Sequence, residues 1–406
     1  MVEPAAIRVA PAAFAPATLG PLTLRNRIIK AATFEGVMPR GAVTDELVDF
    51  HARVARGGAA LTTVAYCAVS KGGRVHRNTM VMRPEIVDDL RRLTDAVHAE
   101  GALASAQIGH AGLVANARSN RAPTLAPSAR FSAPAGGRVK AASHADLDEV
   151  LGDFERAARV AVAAGFDAVE VHLGHNYLLS SFLSPNLNKR TDDLGGSLEH
   201  RAAYPRRVVQ AVRATTDAAS GGRVAVLAKL NMADGVRKGL WLDESLQVAS
   251  WLEADGCLDA IELTGGSSLL NGMYFFRGDV PMDEFIAAQP RLVGLGLRVI
   301  GRRIFPELPF EEAFFLPMAR QFRDELKMPL VLLGGINRLD TIEGAMAEGF
   351  EFVAMARALL REPDLPNKLA AGQSRAGLCI HCNKCLPTIY SGTRCVLVER
   401  PPGGSD

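Results

Sequence analysis

The stretch AAGFDAVEVH, residues 163–172, contains the unit from which the whole chain is built. A helical pattern runs into Gly165, and a short, almost wholly apolar run follows. A glycine just past a helix supplies the left-handed residue that stops it. An apolar run without alternation suits a strand buried on both faces. The same order returns in ARGGAALTTV at 55–64, AEGALASAQI at 99–108, ADGCLDAIEL at 254–263 and AEGFEFVAMA at 347–356. Three further runs read as strands: NRIIKAA at 26–32, VAVLAKLN at 224–231 and PLVLLGG at 329–335. The total is eight strands with helical patterns between them.

The segment 143–164 shows the helical type. Ser143 and Asp146 fit a capping box, and Leu147, Val150, Leu151, Phe154 and Ala158 repeat at helical spacing. Helices alternating with buried strands imply a parallel sheet. Eight such units favour closure into a (β/α)8 TIM barrel. An open sheet binding a dinucleotide would carry GxGxxG after its first strand, and none is there.

Composition agrees with an α/β enzyme of 406 residues, 48% hydrophobic and 22% charged. The net charge of +2 gives no electrostatic case for nucleic acid or an anionic membrane. No uninterrupted apolar stretch is long enough to span a bilayer, and the N-terminus does not read as a signal peptide. Cys67 and Cys257 stand alone, while Cys379, Cys382, Cys385 and Cys395 crowd the end of the chain. That clustering does not suit a secreted disulfide framework, so a cytoplasmic location is expected. The expected domains are a barrel over 1–370, with long catalytic-face connections at 109–142 and 265–300, and a cysteine-rich tail over 371–406.

Functional groups in a barrel come from the C-terminal ends of its strands. Those ends carry Thr33 and Phe34, Gln107 and His110, then His172, His175 and Tyr177, then Lys229, Gly334, Gly335 and Arg357. Lys229, inside an apolar run, either pairs with a buried carboxylate such as Glu170 or Glu262 or faces a bound anion. Gly334 and Gly335 would let backbone N–H groups approach a phosphate, and Arg357 adds a charge-assisted bond.

The segment VEVHLGHNYLLSSFLSPNLNKRTDDLGGSLEHR, 169–201, resembles the old yellow enzyme family of FMN-dependent ene-reductases. Further stretches resemble it in the right order: PLTLRNRIIKAA at 21–32, SAQIGHAG at 105–112, APSA at 126–129, LAKLN at 227–231, LLGGIN at 332–337 and FVAMARALLREPDLPNK at 352–368. The resemblance implies FMN held by Ala32, Thr33, Gln107, Lys229, Gly334, Gly335, Ala356 and Arg357. It implies that His172 and His175 hydrogen-bond the carbonyl of an α,β-unsaturated substrate and that Tyr177 donates the proton. NADH or NADPH would reduce the flavin at N5, and a small-molecule enone would then take the hydride at its β-carbon. The expected partner is a small-molecule enone or related substrate, with no nucleic acid and no membrane, and a homo-oligomer is compatible with this.

Two departures stand out. This chain reads KAATFE where relatives carry KAAMTE-like runs, so either Thr33 or Phe34 would face flavin C4=O. The tail reads C-x2-C-x2-C-x9-C and resembles a contracted form of the iron–sulfur motif of dienoyl-CoA-reductase-like relatives. A [4Fe–4S] cluster, a zinc staple and a metal-free relic all suit four cysteines. A cluster would open an alternative function: a dehydrogenase oxidising an amine or other small substrate and passing electrons from FMN into the tail.

Overall fold

The computed structural model describes residues 11–288 and 291–398; the two extreme ends of the expected domains, 1–10 and 399–406, lie outside the described residues. Eight parallel strands close on themselves: β1 (Ile28–Phe34), β2 (Leu61–Ala68), β3 (Leu103–Gly109), β4 (Ala168–Leu173), β5 (Ala225–Asn231), β6 (Ala260–Thr264), β7 (Leu330–Leu332) and β8 (Phe352–Met355). Each pairs with its sequence neighbour, and β8 returns to β1. This is the (β/α)8 barrel expected from the repeated unit.

The main outer helices are α1 (Asp45–Arg56), α2 (Val87–Ala99), α3 (His144–Ala163), α4 (Leu198–Ser220), α5 (Leu242–Ala254), α6 (Leu316–Glu325) and α7 (Leu339–Ala347). The capping box opens α3 as expected, with Ser143 accepting from the Asp146 N–H and Asp146 bonding back to the Ser143 N–H. Such a cap contributes about 1 kcal/mol. The apolar stripe of α3, including Leu147, Val150, Phe154 and Ala158, is buried against the barrel wall. Full burial of each large side chain contributes roughly 1.5–3 kcal/mol.

The inside of the barrel is layered. At its N-terminal end Ile29, Ala31, Ala60, Leu61, Ala168, Leu227, Val331 and Phe352 form an apolar plug. The hairpin Ala17–Leu19/Leu22–Leu24 covers it with Leu19 and Leu24. Polar groups begin one layer higher, toward the C-terminal ends of the strands.

Both long connections carry structure of their own. The first holds a small three-stranded sheet, Leu125–Ala126, Arg130–Ser132 and Gly137–Ala141. The second holds helices Met273–Phe276, Met282–Ala287 and Arg291–Ile304. The tail lies across the catalytic end. Thr393 donates its N–H to Glu35 O at 2.7 Å and its hydroxyl to Phe34 O. Asn383 donates to Arg277 O at 3.1 Å and Asp279 O at 2.9 Å, and His381 stacks on Phe310. No helix among the described residues is long and apolar enough to cross a membrane.

Candidate active site

His172 ends β4 on the inner face, and the chain then turns sharply. His175 and Asn176 both take left-handed backbone, φ 60° and 57°. Asparagine is one of the few residues that tolerates this region, so the turn forms without a glycine. The turn gathers the three rings expected to act together. His172 and His175 have centroids 5.2 Å apart, and Tyr177 meets His172 edge-on at 4.5 Å.

The partners of the two imidazoles differ. His175 Nε2 lies 3.0 Å from Thr264 Oγ1, and its backbone N–H donates to Asn231 Oδ1 at 3.0 Å. His172 Nδ1 is buried with no hydrogen-bond partner among the described residues. A buried polar atom left open costs about 1–3 kcal/mol, so it marks a place where a ligand atom completes the structure. Burial pulls both imidazoles down, His175 to about 3, with the Lys229 charge adding to the effect. Both are therefore neutral at pH 7, each with one N–H to donate.

Tyr66, from β2, is a third ring in this group and was not singled out from sequence. It lies edge-on to Tyr177 at 5.2 Å and donates its hydroxyl to Gly73 O at 3.2 Å. Burial pushes its phenol well above the ordinary value, so it stays protonated.

Below these rings a charged belt crosses adjacent strands. Gln107 Nε2 donates to Glu170 Oε1 at 2.6 Å; Lys229 Nζ lies 3.2 Å from Glu170 Oε1 and 2.6 Å from Glu262 Oε1. All four side chains are buried. Burial opposes the lysine's charge, but the two carboxylates outweigh it and hold Lys229 protonated. Of the two alternatives read from sequence for Lys229, the pairing with buried carboxylates is the one present.

A second buried charge cluster lies beside β1. A register shift between Lys30 and Thr33 breaks the β1–β2 ladder. Thr33 Oγ1 accepts from Lys30 Nζ at 2.8 Å, and Glu35 Oε2 accepts from the Ala65 N–H at 3.1 Å. Ala32 and Phe34 pack instead with Ala65, Tyr66 and Tyr177 at the barrel mouth. Thr33 is thus committed to the Lys30–Glu35 group, and Phe34 takes its place toward the mouth. Burial raises Glu35 to about 8 and lowers Lys30 to about 8, each moderated by the other.

The ends of β7 and β8 meet the requirements of an anion site. Gly334 and Gly335 have φ 117° and 77°, and a Cβ at Gly335 would lie 2.6 Å from Phe310 and 2.8 Å from Phe314. These rings pack directly on the backbone, so only glycine fits at either position. Arg357 follows β8 after Ala356, and its Nη1 donates to Arg277 O at 3.0 Å and to Asn383 Oδ1. A bare backbone, a guanidinium, an amide on β3, a cation on β5 and an unpartnered imidazole nitrogen share one rim. The resemblance read from the sequence would put an FMN phosphate at Gly334, Gly335, Ala356 and Arg357 and the ring system beside Ala32, Gln107 and Lys229, whereas Thr33 is bonded to Lys30.

Cys379, Cys382, Cys385 and Cys395 line a single cavity with Arg357, Arg361 and His381. Among the described residues no three of their sulfurs lie within 4.8 Å of one another. A single tetrahedral zinc, with bonds of about 2.3 Å, would draw four sulfurs to about 4 Å. Four thiols in one cavity keep all three alternatives read from the sequence: a [4Fe–4S] cluster, a zinc staple and a metal-free relic. His381 is stacked on Phe310, with Nδ1 3.8 Å from Cys379 Sγ.

Residues 12–261 match the model of the NADH:flavin oxidoreductase / NADH oxidase family. The chain is 72% identical over 387 residues to a 4,4'-dithiodibutanoate disulfide reductase of Rhodococcus erythropolis, covering 95% of both chains. Among solved structures, a 2-naphthoyl-CoA reductase matches with a TM-score of 0.80 at 23% identity, over 95% of this chain and 56% of that one. The old yellow enzyme homologue of Zymomonas mobilis matches with a TM-score of 0.70 at 22% identity, over 92% of this chain and 96% of that one. The chain therefore spans little more than half of one structural relative and nearly all of another.

Proposed function

The chain belongs to the NADH:flavin oxidoreductase / NADH oxidase family, and we propose that within it the protein reduces the S–S bond of a small organic disulfide. The old yellow enzyme resemblance read from the sequence is borne out, as are FMN as cofactor and NADH or NADPH as hydride donor. The observation that carries the disulfide reading is the 72% identity, over 95% of both chains, to a disulfide reductase. The overall change is NAD(P)H + H⁺ + RSSR → NAD(P)⁺ + 2 RSH.

Bound FMN supplies the two-electron step, accepting a hydride from NAD(P)H and passing the electron pair to the acceptor. The residues of the chain do the rest. Phe34, Tyr66 and Phe275 wall the mouth and exclude water, which strengthens every polar contact inside it. His172 and His175 present neutral N–H donors to the sulfur that gains negative charge as the bond breaks. Donors fixed in advance stabilise such charge without reorganising. Tyr177, edge-on to His172, gives its proton to the departing thiolate and recovers it from solvent. Gln107 and Lys229, both fixed by Glu170, hold the pyrimidine end of the ring system in place.

The same groups support a second reading, reduction of an activated C=C bond. The paired donors would then hold an enone carbonyl, and Tyr177 would protonate the α-carbon. The neutral imidazole pair supplies N–H donors to such a carbonyl as it does to a sulfur. A [4Fe–4S] cluster at the four tail cysteines would instead suit a dehydrogenase that oxidises an amine or other small substrate and passes electrons from FMN into the tail.

Anaerobic rapid mixing of the reduced holoenzyme separates the two readings. With 4,4'-dithiodibutanoate, the flavin should reoxidise and release two thiols per NAD(P)H consumed. With 2-cyclohexenone, reoxidation should be slower. Fast reoxidation by the enone with no thiol release from the disulfide would overturn the leading reading.

A further inference from the structure

The short helix Met273–Phe276 brings two different groups to the mouth of the barrel. Phe275 stacks on His175, centroids 4.4 Å apart and planes 26° from parallel. Two residues on, the Arg277 guanidinium lies over the rings of Phe314, at 4.9 Å, and Tyr274, at 5.8 Å. It makes no ion pair or hydrogen bond with any described residue, and its Nε is buried without a partner. The carbonyl of Arg277 is fixed by Arg357 Nη1 and Asn383 Nδ2, so the residue is anchored through its backbone while its side chain is left open.

An arginine rarely stays in this state for structural reasons alone. Its planar fork presents donors in the geometry that matches a carboxylate, and the aromatic rings beneath hold it in position at little entropic cost. We infer that Arg277 is the recognition residue for a carboxylate carried by the substrate, and so selects anionic over neutral disulfides. The inference rests on the disulfide reading above. A sulfur at the His172–His175 pair and a carboxylate three methylenes away are separated by roughly 5 Å at bond lengths of about 1.5 Å. Arg277 lies on the same short segment as the ring that stacks on His175.

The experiment compares the wild-type holoenzyme with Arg277→Met, which keeps the apolar stem on the rings, and Arg277→Lys. The substrates are 4,4'-dithiodibutanoate and its neutral diamide, and FMN affinity is measured alongside. The wild type should prefer the diacid. Arg277→Met should raise KM for the diacid roughly ten- to a hundredfold with a smaller effect on kcat, so that the diacid-to-diamide ratio of kcat/KM collapses toward one. Arg277→Lys should recover part of that ratio. Equal kcat/KM for diacid and diamide in the wild type would overturn the carboxylate role while leaving the disulfide reading in place. Loss of FMN from Arg277→Met at unaltered diacid preference would assign the guanidinium to the cofactor phosphate and likewise overturn it. Turnover of neither disulfide by the wild type would overturn the disulfide reading itself.

Discussion

Lys229 Nζ stands 2.6 Å from Glu262 Oε1 across the β5–β6 ladder, with neither side chain reaching solvent. The lysine also meets Glu170, so one cation holds two carboxylates inside the barrel. Lys229→Met would remove the cation that both buried carboxylates contact directly. Breaking a buried pair in this way costs about 3–5 kcal/mol. Urea unfolding of the holoenzyme should show a loss of that size, and FMN should dissociate more readily. Glu262→Gln should cost less, because Lys229 keeps Glu170. Equal unfolding midpoints for the three proteins would mean that the belt does not bear on stability.

Tyr177 and His172 share one edge-on contact, and the proton-donor role makes their half-reactions separable. Tyr177→Phe should slow oxidation of the reduced flavin by the acceptor about 10²–10⁴-fold, the usual range for loss of a positioned acid. Reduction by NAD(P)H needs no proton from this residue and should stay within a few-fold. Stopped-flow traces of the two half-reactions check this directly, and equal slowing in both would contradict the assignment.

The barrel was legible because its signal repeats. A glycine-stopped helix followed by an apolar run recurs five times, and period and order survive even where single residues vary. The strand-end positions then pointed to Gln107, His172, Lys229 and Arg357 before any geometry was known. Tyr66, Arg277 and the Lys30–Glu35 pair were not singled out, for different physical reasons. Tyr66 reads as an ordinary strand aromatic. Arg277 sits in a long connection, where periodicity carries no information. Lys30 and Glu35 are brought together by a register shift that no local pattern announces. The same shift turns Thr33 toward Lys30 and leaves Phe34 packed at the mouth.

Acid should destabilise the protein through buried imidazoles. Burial holds His110 at about 4 and His175 at about 3, against an ordinary 6.5. The folded values lie below the unfolded one, so the unfolded chain binds more protons in between. The stability they contribute is complete above about pH 6.5 and is lost as the pH falls toward 4 and 3. Each adds a slope of at most about 1.4 kcal/mol per pH unit in that window. His110 accepts the Gly112 N–H through Nδ1, a bond that an asparagine oxygen can replace. In thermal melts from pH 7 to 5, the stability gap between His110→Asn and wild type should move in favour of the variant by about 1–2 kcal/mol. Parallel curves would show that His110 takes no part in the acid response.

The tail cysteines make a prediction in which composition and position can be read apart. Four thiols line one cavity, with Arg357 and Arg361 on its wall. Protein purified without oxygen should carry about four iron and four sulfide per chain, with little zinc. Cys382→Ser should remove most of that iron. The effect should also reach the flavin, because Asn383, the next residue, bonds Arg357 and the carbonyls of Arg277 and Asp279. Loosening the tail therefore frees the guanidinium assigned to the phosphate, and FMN affinity should fall about tenfold, the value of one charge-assisted hydrogen bond. Asn383→Ala separates the two consequences: it should weaken FMN to a similar degree while iron is retained. Stoichiometric zinc in place of iron would show a staple, and a metal-free protein with wild-type FMN affinity in Cys382→Ser would show that the cavity neither binds metal nor supports the cofactor site.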